Sequence, residues 1–191
     1  RRVRPSFLLP FATCTLTDAI AETYGILGPR ATIATACSSS ATAIGYALSS
    51  IRSGEVDLAV VGGSESLSEV TFGGFNALRS VDEDCCRPFD LNRKGLSLGE
   101  GAAMLVIEGM EKALKRRAKI YAEVLGYGLT GDGHHMTAPD PNGNGAFQAM
   151  KEALENSAIS PGEVDHINAH GTATPTNDLA ETRAIKNLFQ D

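Results

Sequence analysis

One cysteine lies at the junction of two different sequence patterns. Residues 32–36 alternate β-branched and small side chains, which is typical of a short buried strand, and Cys37 follows them directly. Ser38 opens a run of small and aliphatic residues that predicts a tightly packed helix over about 38–52. A thiol at a helix N-terminus is biased towards the nucleophilic thiolate, and the free N–H groups there can stabilise an oxyanion. The position therefore suits covalent acyl chemistry, although a buried structural cysteine fits the pattern equally well.

The remaining cysteines show no pattern that indicates a metal site or a second nucleophile. Cys14 lies in a mostly apolar segment, where we expect it to belong to the core. Cys85 and Cys86 are adjacent in the charged turn "VDEDCCRPFD", which contains no evident base. Free thiols without metal-ligand spacing predict a reducing, cytoplasmic location.

A histidine that could assist such a cysteine opens the segment "HGTATPTNDLAE". His170 follows residues 164–169, "VDHINA", which we expect to form a buried strand. Because α/β proteins place their chemistry at the carboxyl ends of parallel strands, His170 is the first candidate for a catalytic imidazole. His166 lies inside the same segment, and we expect it to be a packed or edge residue.

Two further histidines lie in a long loop. His134 and His135 belong to "GDGHHMTAPDPNGNG" at 131–145, and loops of that length are usually functional or flexible. Either histidine could join the site, or both could be solvated. Zinc binding is a weaker alternative, because the spacings of cysteine and histidine fit no usual zinc pattern. We therefore predict no metal site.

Apolar runs of strand length alternate with helical patterns along the chain, which predicts an α/β fold. The first two strands and the helix between them should form a right-handed βαβ unit with parallel strands. The expected strands are 32–36, 56–63, 102–108, 119–127 and 164–169, and the expected helices are 18–24, 38–52, 110–117, 145–157 and 177–189.

Composition argues against two classes of partner. The chain has 191 residues, 42% of them hydrophobic, and a formal net charge of -6. That charge argues against nucleic-acid binding, and no apolar run approaches the length of a membrane span. We therefore expect neither nucleic acid nor membrane as a partner. The chain begins with Arg1 rather than Met, so we expect the natural start to lie upstream.

Three segments together resemble the β-ketoacyl-acyl carrier protein synthases, the condensing enzymes of fatty acid and polyketide assembly. They are "TACSSS" at 35–40, "RPFDLNRKGLSLGEGAAMLVIE" at 87–108 and "NAHGTATPTNDLAE" at 168–181. The resemblance covers essentially the whole chain and is greatest to the elongating, decarboxylating type. It implies a thiolase-like fold, layered αβαβα and here incomplete at both ends, with 1–108 in the N-terminal half and 109–191 in the C-terminal half.

The resemblance also assigns roles to individual residues. It implies that Cys37 is the acylated nucleophile and that His170 assists malonyl decarboxylation and stabilises the enolate. Further implied residues are Thr137, Thr172 and Thr174 along the pantetheine arm, Phe75 beside the acyl pocket, Arg79 at the carrier-protein surface, and Asp132, His135, Asp178 and Glu181 as supporting residues.

The implied reaction is acyl transfer from acyl carrier protein to Cys37, followed by decarboxylative Claisen condensation with malonyl-carrier protein. No cofactor is implied beyond the phosphopantetheine of the carrier protein, and the usual assembly is a homodimer. Two alternatives remain: a non-catalytic chain-length partner in a ketosynthase heterodimer, and the ketosynthase domain of a modular polyketide synthase. The presence of Cys37 and His170 argues against the first. Thiolase chemistry on coenzyme A would need a second nucleophilic cysteine that has no counterpart here.

The sequence departs from the family pattern in what it does not contain. Nothing in it matches the second catalytic histidine, the lysine shortly before that histidine, or the glycine-rich loop whose phenylalanine gates the site. A full synthase is also much longer. We therefore expect this chain to correspond to the middle of a synthase and to have little condensing activity alone.

Overall fold

A computed structural model describes residues 12–190 of the chain. These residues form six α-helices and two β-strands, and the strands are hydrogen-bonded neighbours in one sheet. The mixture of helices and strands agrees with the predicted α/β class. The helices are α1 (Thr15–Tyr24), α2 (Ser39–Arg52), α3 (Glu69–Ala77), α4 (Met110–Lys115), α5 (Asn144–Ser157) and α6 (Pro175–Phe189), and the strands are β1 (Leu58–Glu65) and β2 (Gly101–Glu108).

The described residues form two compact units. The first comprises the residues up to Gly63 together with Ala103–Tyr121, and the second comprises Ser64–Ala102 and the residues from Ala122 onward. The first unit contains α1, α2, α4 and most of the sheet, and the second contains α3, α5 and α6. Their buried apolar residues are small, so neighbouring backbones can approach closely. These residues are Ala21, Ala47, Val61 and Ala113 in the first unit and Ala173, Ala180 and Ala184 in the second.

All five predicted helices are present, and local signals explain where they begin and end. α1 ends at Gly25, whose φ of +64° is the left-handed conformation that commonly terminates helices. α6 begins after Thr174, whose hydroxyl accepts the N–H of Asn177, and proline occupies its first position. The predicted strands at 56–63 and 102–108 are confirmed as β1 and β2, with shifts of one or two residues.

The predicted strands at 32–36, 119–127 and 164–169 are wrong, because these residues form no strand in the structure. A strand needs a ladder of backbone hydrogen bonds to a neighbouring strand, and the sheet pairs only β1 with β2 among residues 12–190. In the first segment, the N–H of Thr35 instead donates to the hydroxyl of Ser39 (2.8 Å). The predicted βαβ unit is therefore also wrong, since no strand precedes α2 within the described residues.

The second of those segments runs into a stretch that lies along α5. The amide of Asn156 donates to the carbonyl of Tyr127 (2.8 Å), and Glu152 accepts the N–H of Leu129 (3.3 Å). A Cβ atom at Gly128 would lie 2.0 Å from a backbone carbonyl oxygen of α5. Only glycine fits at this position, and the contact explains why the segment associates with a helix here.

Sequence reasoning missed α3. The helix contains Gly73 and Gly74, and glycine is a poor helix former. Its start signal is nevertheless present, because the Ser68 hydroxyl accepts the N–H of Thr71 (3.1 Å). α3 is the element that carries Phe75, so the missed helix contains one of the predicted site residues.

Candidate active site

Cys37 has an exposed thiol and lies in a sharp turn at the start of α2. It is the middle residue of a 3₁₀ turn, Ala36–Ser38, that leads directly into this helix. Ala36 has a φ of +53°, a left-handed conformation that costs a non-glycine residue about 1–2 kcal/mol. Strained backbone of this kind concentrates at functional sites. Within the described residues, this geometry favours the nucleophile over the alternative of a buried structural cysteine.

Two serines next to Cys37 hold the strained turn together. The hydroxyl of Ser38 donates to the carbonyl of Thr35 (2.8 Å), and the hydroxyl of Ser39 donates to the carbonyl of Ala36 (2.7 Å). Ser39 also accepts the N–H of Thr35 (2.8 Å). The serines therefore satisfy backbone groups that a regular strand or helix would otherwise pair, and they fix the backbone on both sides of the thiol.

The third serine of the run explains how closely α2 approaches the sheet. A Cβ atom at Gly63, near the end of β1, would lie 2.1 Å from the Ser40 hydroxyl oxygen. Glycine in the strand and a small residue in the first turn of the helix are both needed for this contact. The segment "TACSSS" thus supplies two turn-stabilising hydroxyls and one small packing residue around Cys37.

His170 lies in a turn whose backbone N–H groups are bound by one carboxylate, that of Glu181. Oε1 of Glu181, in α6, accepts the N–H of His170 (2.6 Å), and Oε2 accepts the N–H of Gly171 (2.9 Å). The side-chain amide of Asn177 also donates to this carboxylate (3.3 Å). Hydrogen bonds to an ionised acceptor are among the stronger ones in proteins, so Glu181 fixes the backbone from which the imidazole projects.

A second carboxylate of α6 holds the other end of this turn. Asp178 is 1% exposed, and its Oδ1 accepts the N–H of Ala173 (3.1 Å). Its Oδ2 accepts the N–H of Phe89 (2.7 Å) and lies 3.4 Å from the Nε of Arg93. Asp178 and Glu181 are three residues apart and therefore lie on the same side of the helix. Two of the three predicted supporting acids, Asp178 and Glu181, thus contact the His170 turn.

The two threonines after His170 lie between the turn and α6. The hydroxyl oxygens of Thr172 and Thr174 are 2.8 Å apart, and Thr174 is also the N-cap of the helix. The thiol of Cys86 donates to the carbonyl of Thr172 (3.7 Å). Cys86 was given no role from the sequence, and its contact with this turn was not foreseen because the two residues are distant along the chain.

The loop at 131–145 is held by its own polar side chains. Asp132 accepts the N–H of Asp140 (2.8 Å). The Nδ1 atom of His135 accepts the N–H groups of Thr137 (3.1 Å) and Ala138 (3.2 Å). A neutral His135 therefore carries its proton on Nε2, which leaves that atom as a hydrogen-bond donor.

Helix α6 supports this loop as well as the His170 turn. Arg183 donates to the carbonyl of Pro141 (2.7 Å). Within the loop, Asp140 accepts the N–H of Asn142 (3.0 Å) and the side-chain amide of Asn144 (2.6 Å). The hydrogen bond from Asn142 lowers the pKa of Asp140 below its ordinary value. The charged form of Asp140 is thus favoured, and it is the form that these donors hold.

The remaining predicted residues differ in exposure. Phe75 is half-buried on α3, whereas Arg79, beyond the end of that helix, is exposed. Cys14 is exposed, so its assignment to the core is wrong; it occupies the N-cap position of α1 rather than a packed face. His166 is exposed and lies outside any strand, so it is not packed as predicted, and His134 is also exposed.

The structure brings most of the predicted residues into two clusters. The His170 turn cluster contains His170, Thr172, Thr174, Asp178 and Glu181, and the loop cluster contains Asp132, His135 and Thr137. Cys37 belongs to the first unit, whereas both clusters, Phe75 and Arg79 belong to the second. Sequence reasoning missed Arg93 and the backbone N–H of Phe89, which only the folded chain brings to Asp178.

Two further findings concern residues 12–190 as a whole. No group of three or more histidine, cysteine, aspartate or glutamate side chains in this part of the chain is arranged to hold a metal ion. None of its helices has the length and apolar character needed to cross a bilayer.

Profiles of known protein families match nearly the whole sequence. The profile described as "Beta-ketoacyl synthase, N-terminal domain" matches residues 1–113, and the one described as "Beta-ketoacyl synthase, C-terminal domain" matches residues 121–191. The chain belongs to the beta-ketoacyl synthase family. The resemblance inferred from the three motifs is thereby confirmed.

Curated members of the family are similar along the entire chain. The 3-oxoacyl-[acyl-carrier-protein] synthase 2 of Staphylococcus aureus is 42% identical over 195 residues, which cover 99% of this chain and 48% of that protein. The mitochondrial 3-oxoacyl-[acyl-carrier-protein] synthase of Arabidopsis thaliana is 39% identical over 199 residues, covering 100% of this chain and 43% of that protein. The chain therefore spans about half the length of the curated relatives it matches.

Solved ketosynthase structures share the fold. The ishigamide ketosynthase/chain length factor is 41% identical with a TM-score of 0.90, covering 94% of this chain and 44% of that one. A ketosynthase solved with its type II polyketide acyl-carrier protein and a hexaketide is 32% identical with a TM-score of 0.93, covering 99% of this chain and 48% of that one. The α/β fold of this beta-ketoacyl synthase chain is thus thiolase-like, as predicted.

Proposed function

We propose that this chain supplies the nucleophile and one catalytic histidine of a β-ketoacyl-acyl carrier protein synthase. The observation that carries the proposal is the exposed Cys37 thiol in a strained turn at the N-terminus of α2. Family membership and relatives named 3-oxoacyl-[acyl-carrier-protein] synthase support the same activity. Because the chain spans about half of those relatives, the activity belongs to the natural-length protein.

The first step is thioester exchange. The Cys37 thiolate attacks the carbonyl carbon of an acyl group bound to the pantetheine thiol of a carrier protein. The tetrahedral oxyanion forms beside the N-terminus of α2, where backbone N–H groups and the helix dipole favour negative charge. The pantetheine thiolate leaves and takes up a proton, and the acyl group remains on Cys37 as a new thioester.

The second step forms the carbon–carbon bond. A malonyl thioester loses carbon dioxide, and the electron pair of the broken bond forms an enolate. His170 donates a hydrogen bond from a ring N–H to the enolate oxygen. The enolate carbon then attacks the acyl carbonyl on Cys37, the Cys37 thiolate leaves, and a β-ketoacyl thioester remains on the carrier protein. The backbone anchors on Glu181 support this role because they fix the position of residue 170.

The other site residues bind substrate or support those that do. Thr172 and Thr174 present adjacent hydroxyl groups to the pantetheine arm, and Thr137 lines the same path. Phe75 borders the acyl pocket from α3, and the exposed cation Arg79 attracts the acidic surface of the carrier protein.

Three acids and one histidine hold the backbone segments that carry these residues. Asp178 and Glu181 hold the His170 turn through its backbone. Asp132 and His135 hold the loop at 131–145, where His135 keeps Nε2 as a donor. Each is a positioning residue, because each accepts hydrogen bonds from backbone N–H groups of the turn or the loop.

The proposal includes the assembly and the location of the enzyme. The partner is acyl carrier protein, whose phosphopantetheine carries the substrates, and no other cofactor is required. The enzyme is a homodimer in the cytoplasm; the free state of all four cysteines is consistent with a reducing compartment. Residues 1–108 form part of its N-terminal half and 109–191 the first part of its C-terminal half, a division that the two profile matches support.

A non-catalytic chain-length partner is the less supported alternative. Such a subunit needs neither a nucleophile nor the geometry that activates one, whereas this chain has Cys37 at a strained turn with its thiol exposed. A ketosynthase domain within a modular polyketide synthase would use the same chemistry. It differs only in the polypeptide that surrounds the site.

We expect the natural-length protein to convert an acyl-carrier protein and malonyl-carrier protein into a β-ketoacyl-carrier protein with release of carbon dioxide. The 191-residue chain alone should show little condensation, because the second histidine of the family pattern has no match in it. Mass spectrometry of the carrier-bound product measures condensation by the natural-length protein and by the 191-residue chain. A natural-length protein that neither acquires an acyl group nor releases carbon dioxide would contradict the proposed function.

A further inference from the structure

We propose that Arg93 is a positioning residue that keeps the His170 turn in its active arrangement through the buried carboxylate of Asp178. The inference rests on the proposed function, because it names a residue that serves the decarboxylation step assigned to His170. Arg93 acts through Asp178 and the backbone rather than by contact with the substrate.

The guanidinium of Arg93 joins a loop to the first turn of α6. Its Nε lies 3.4 Å from Oδ2 of Asp178 in an ion pair, and its Nη2 donates to the carbonyl of Pro175 (3.0 Å). Its Nη1 donates to the carbonyl of Asp90 (3.0 Å). One planar side chain with several donors therefore ties the loop at 87–93 to the helix that anchors the His170 turn.

Asp178 needs this cation because its carboxylate is almost completely buried. The start of α6 and the N–H groups of Ala173 and Phe89 stabilise part of its charge. Removal of one partner of a buried ion pair is strongly unfavourable, because the other charge stays uncompensated. Without Arg93, we expect the Asp178 carboxylate to move towards solvent, and this movement weakens its hold on the two N–H groups.

One of those two N–H groups belongs to the His170 turn and the other to the loop at 87–93. Ala173 follows His170 by three residues, and Phe89 belongs to the neighbouring loop. Phe89 has a φ of +65°, and its ring lies against the turn: a Cβ atom at Gly171 would be 3.4 Å from Phe89 Cε2. The loop that Arg93 and Asp178 hold is therefore the surface against which the residue next to His170 packs.

Loss of Arg93 should make the position of His170 less precise without unfolding the turn. Glu181 still accepts the N–H groups of His170 and Gly171, so one of the two carboxylate anchors remains. A misplacement of about 1 Å at a reacting group can cost about 10²-fold in rate. We therefore expect a defect in decarboxylation that acylation of Cys37 does not share.

The test compares two half-reactions in the natural-length protein. In Arg93→Met, carbon dioxide release from malonyl-carrier protein should fall about 10²-fold in kcat with a smaller change in KM. Acylation of Cys37, measured by mass spectrometry, should stay within about 2-fold. Arg93→Lys keeps the charge but not the planar fork, so it should recover part of the decarboxylation rate. Hydrogen exchange should be faster at the Ala173 amide in Arg93→Met than in the unsubstituted protein.

Arg116→Met is the control, because Arg116 is also an arginine paired with a carboxylate, that of Glu108, but it lies in the first unit and belongs to neither cluster of site residues. It should leave carbon dioxide release within about 2-fold. The inference would be overturned if Arg93→Met decarboxylated malonyl-carrier protein at the rate of the unsubstituted protein. It would also be overturned if Arg93→Met and Arg93→Lys each lost acylation and decarboxylation to the same extent. If the unsubstituted protein showed neither half-reaction, the proposed function would be overturned instead. Unchanged hydrogen exchange at the Ala173 amide in Arg93→Met would overturn the positioning role of Arg93 but leave the proposed function standing.

Discussion

Replacing Cys37 by alanine should abolish condensation, with a loss of at least about 10³-fold in product formation. Alanine retains the small size that the turn tolerates but removes the atom to which the acyl group becomes attached. The serine hydroxyls that hold the turn bond to Thr35 and Ala36, not to the thiol, so the backbone should keep its shape. The measurement is the rate of β-ketoacyl-carrier protein formation by the natural-length Cys37→Ala protein.

Cys85→Ala is the matched control for this change. Cys85 is also an exposed, free thiol, but it lies in a turn for which the sequence offers no base. Its substitution should leave the rate within about 2-fold, as expected for surface positions away from the chemistry. If Cys37→Ala kept more than a tenth of the activity, or if Cys85→Ala removed it, the nucleophile would be wrongly assigned.

Replacing His170 by alanine should lower malonyl decarboxylation by about 10²–10³-fold, the usual cost of one lost oxyanion donor. Acylation of Cys37 should be affected much less, because the proposed role of His170 begins only with the malonyl substrate. The backbone anchors on Glu181 do not involve the imidazole, so the turn should remain folded. Carbon dioxide release and acyl-enzyme formation, measured separately, distinguish the two steps.

His166→Ala provides the comparison for His170→Ala. His166 is exposed, lies four residues earlier and takes part in neither cluster of site residues. Carbon dioxide release should be unchanged by its substitution. Equal losses in the two variants, or a His170→Ala protein that fails in acylation as much as in decarboxylation, would show that His170 has a structural role instead.

The sequence predicted the elements around Cys37 better than it predicted the strands. The small residues after Cys37 and the glycines around β1 are local features, and local features determine where α2 and β1 begin. Residues 32–36 have the composition of a strand, but a strand also requires a hydrogen-bonded neighbour, which composition does not reveal. The helix carrying Phe75 was missed because its two internal glycines are poor helix formers, although its N-terminus is properly capped.

The site shows the same division between local and long-range information. His170, Thr172 and Thr174 could be named from one continuous segment, and Thr174 could be expected at a helix start. Arg93 could not be paired with Asp178, because many acids in the sequence were equally plausible partners before folding. The protonated nitrogen of His135 likewise depends on two backbone N–H groups whose direction only the folded loop defines.

The most direct test is to expose the natural-length protein to an acyl-carrier protein without malonyl substrate, then digest it and locate the acyl group by mass spectrometry. If the Cys37 thiol accepts the acyl group, the acyl mass should appear on the peptide containing Cys37. It should appear on no peptide containing Cys14, Cys85 or Cys86. Steady condensation with the acyl group on another residue, or with no acylated peptide at all, would contradict the account.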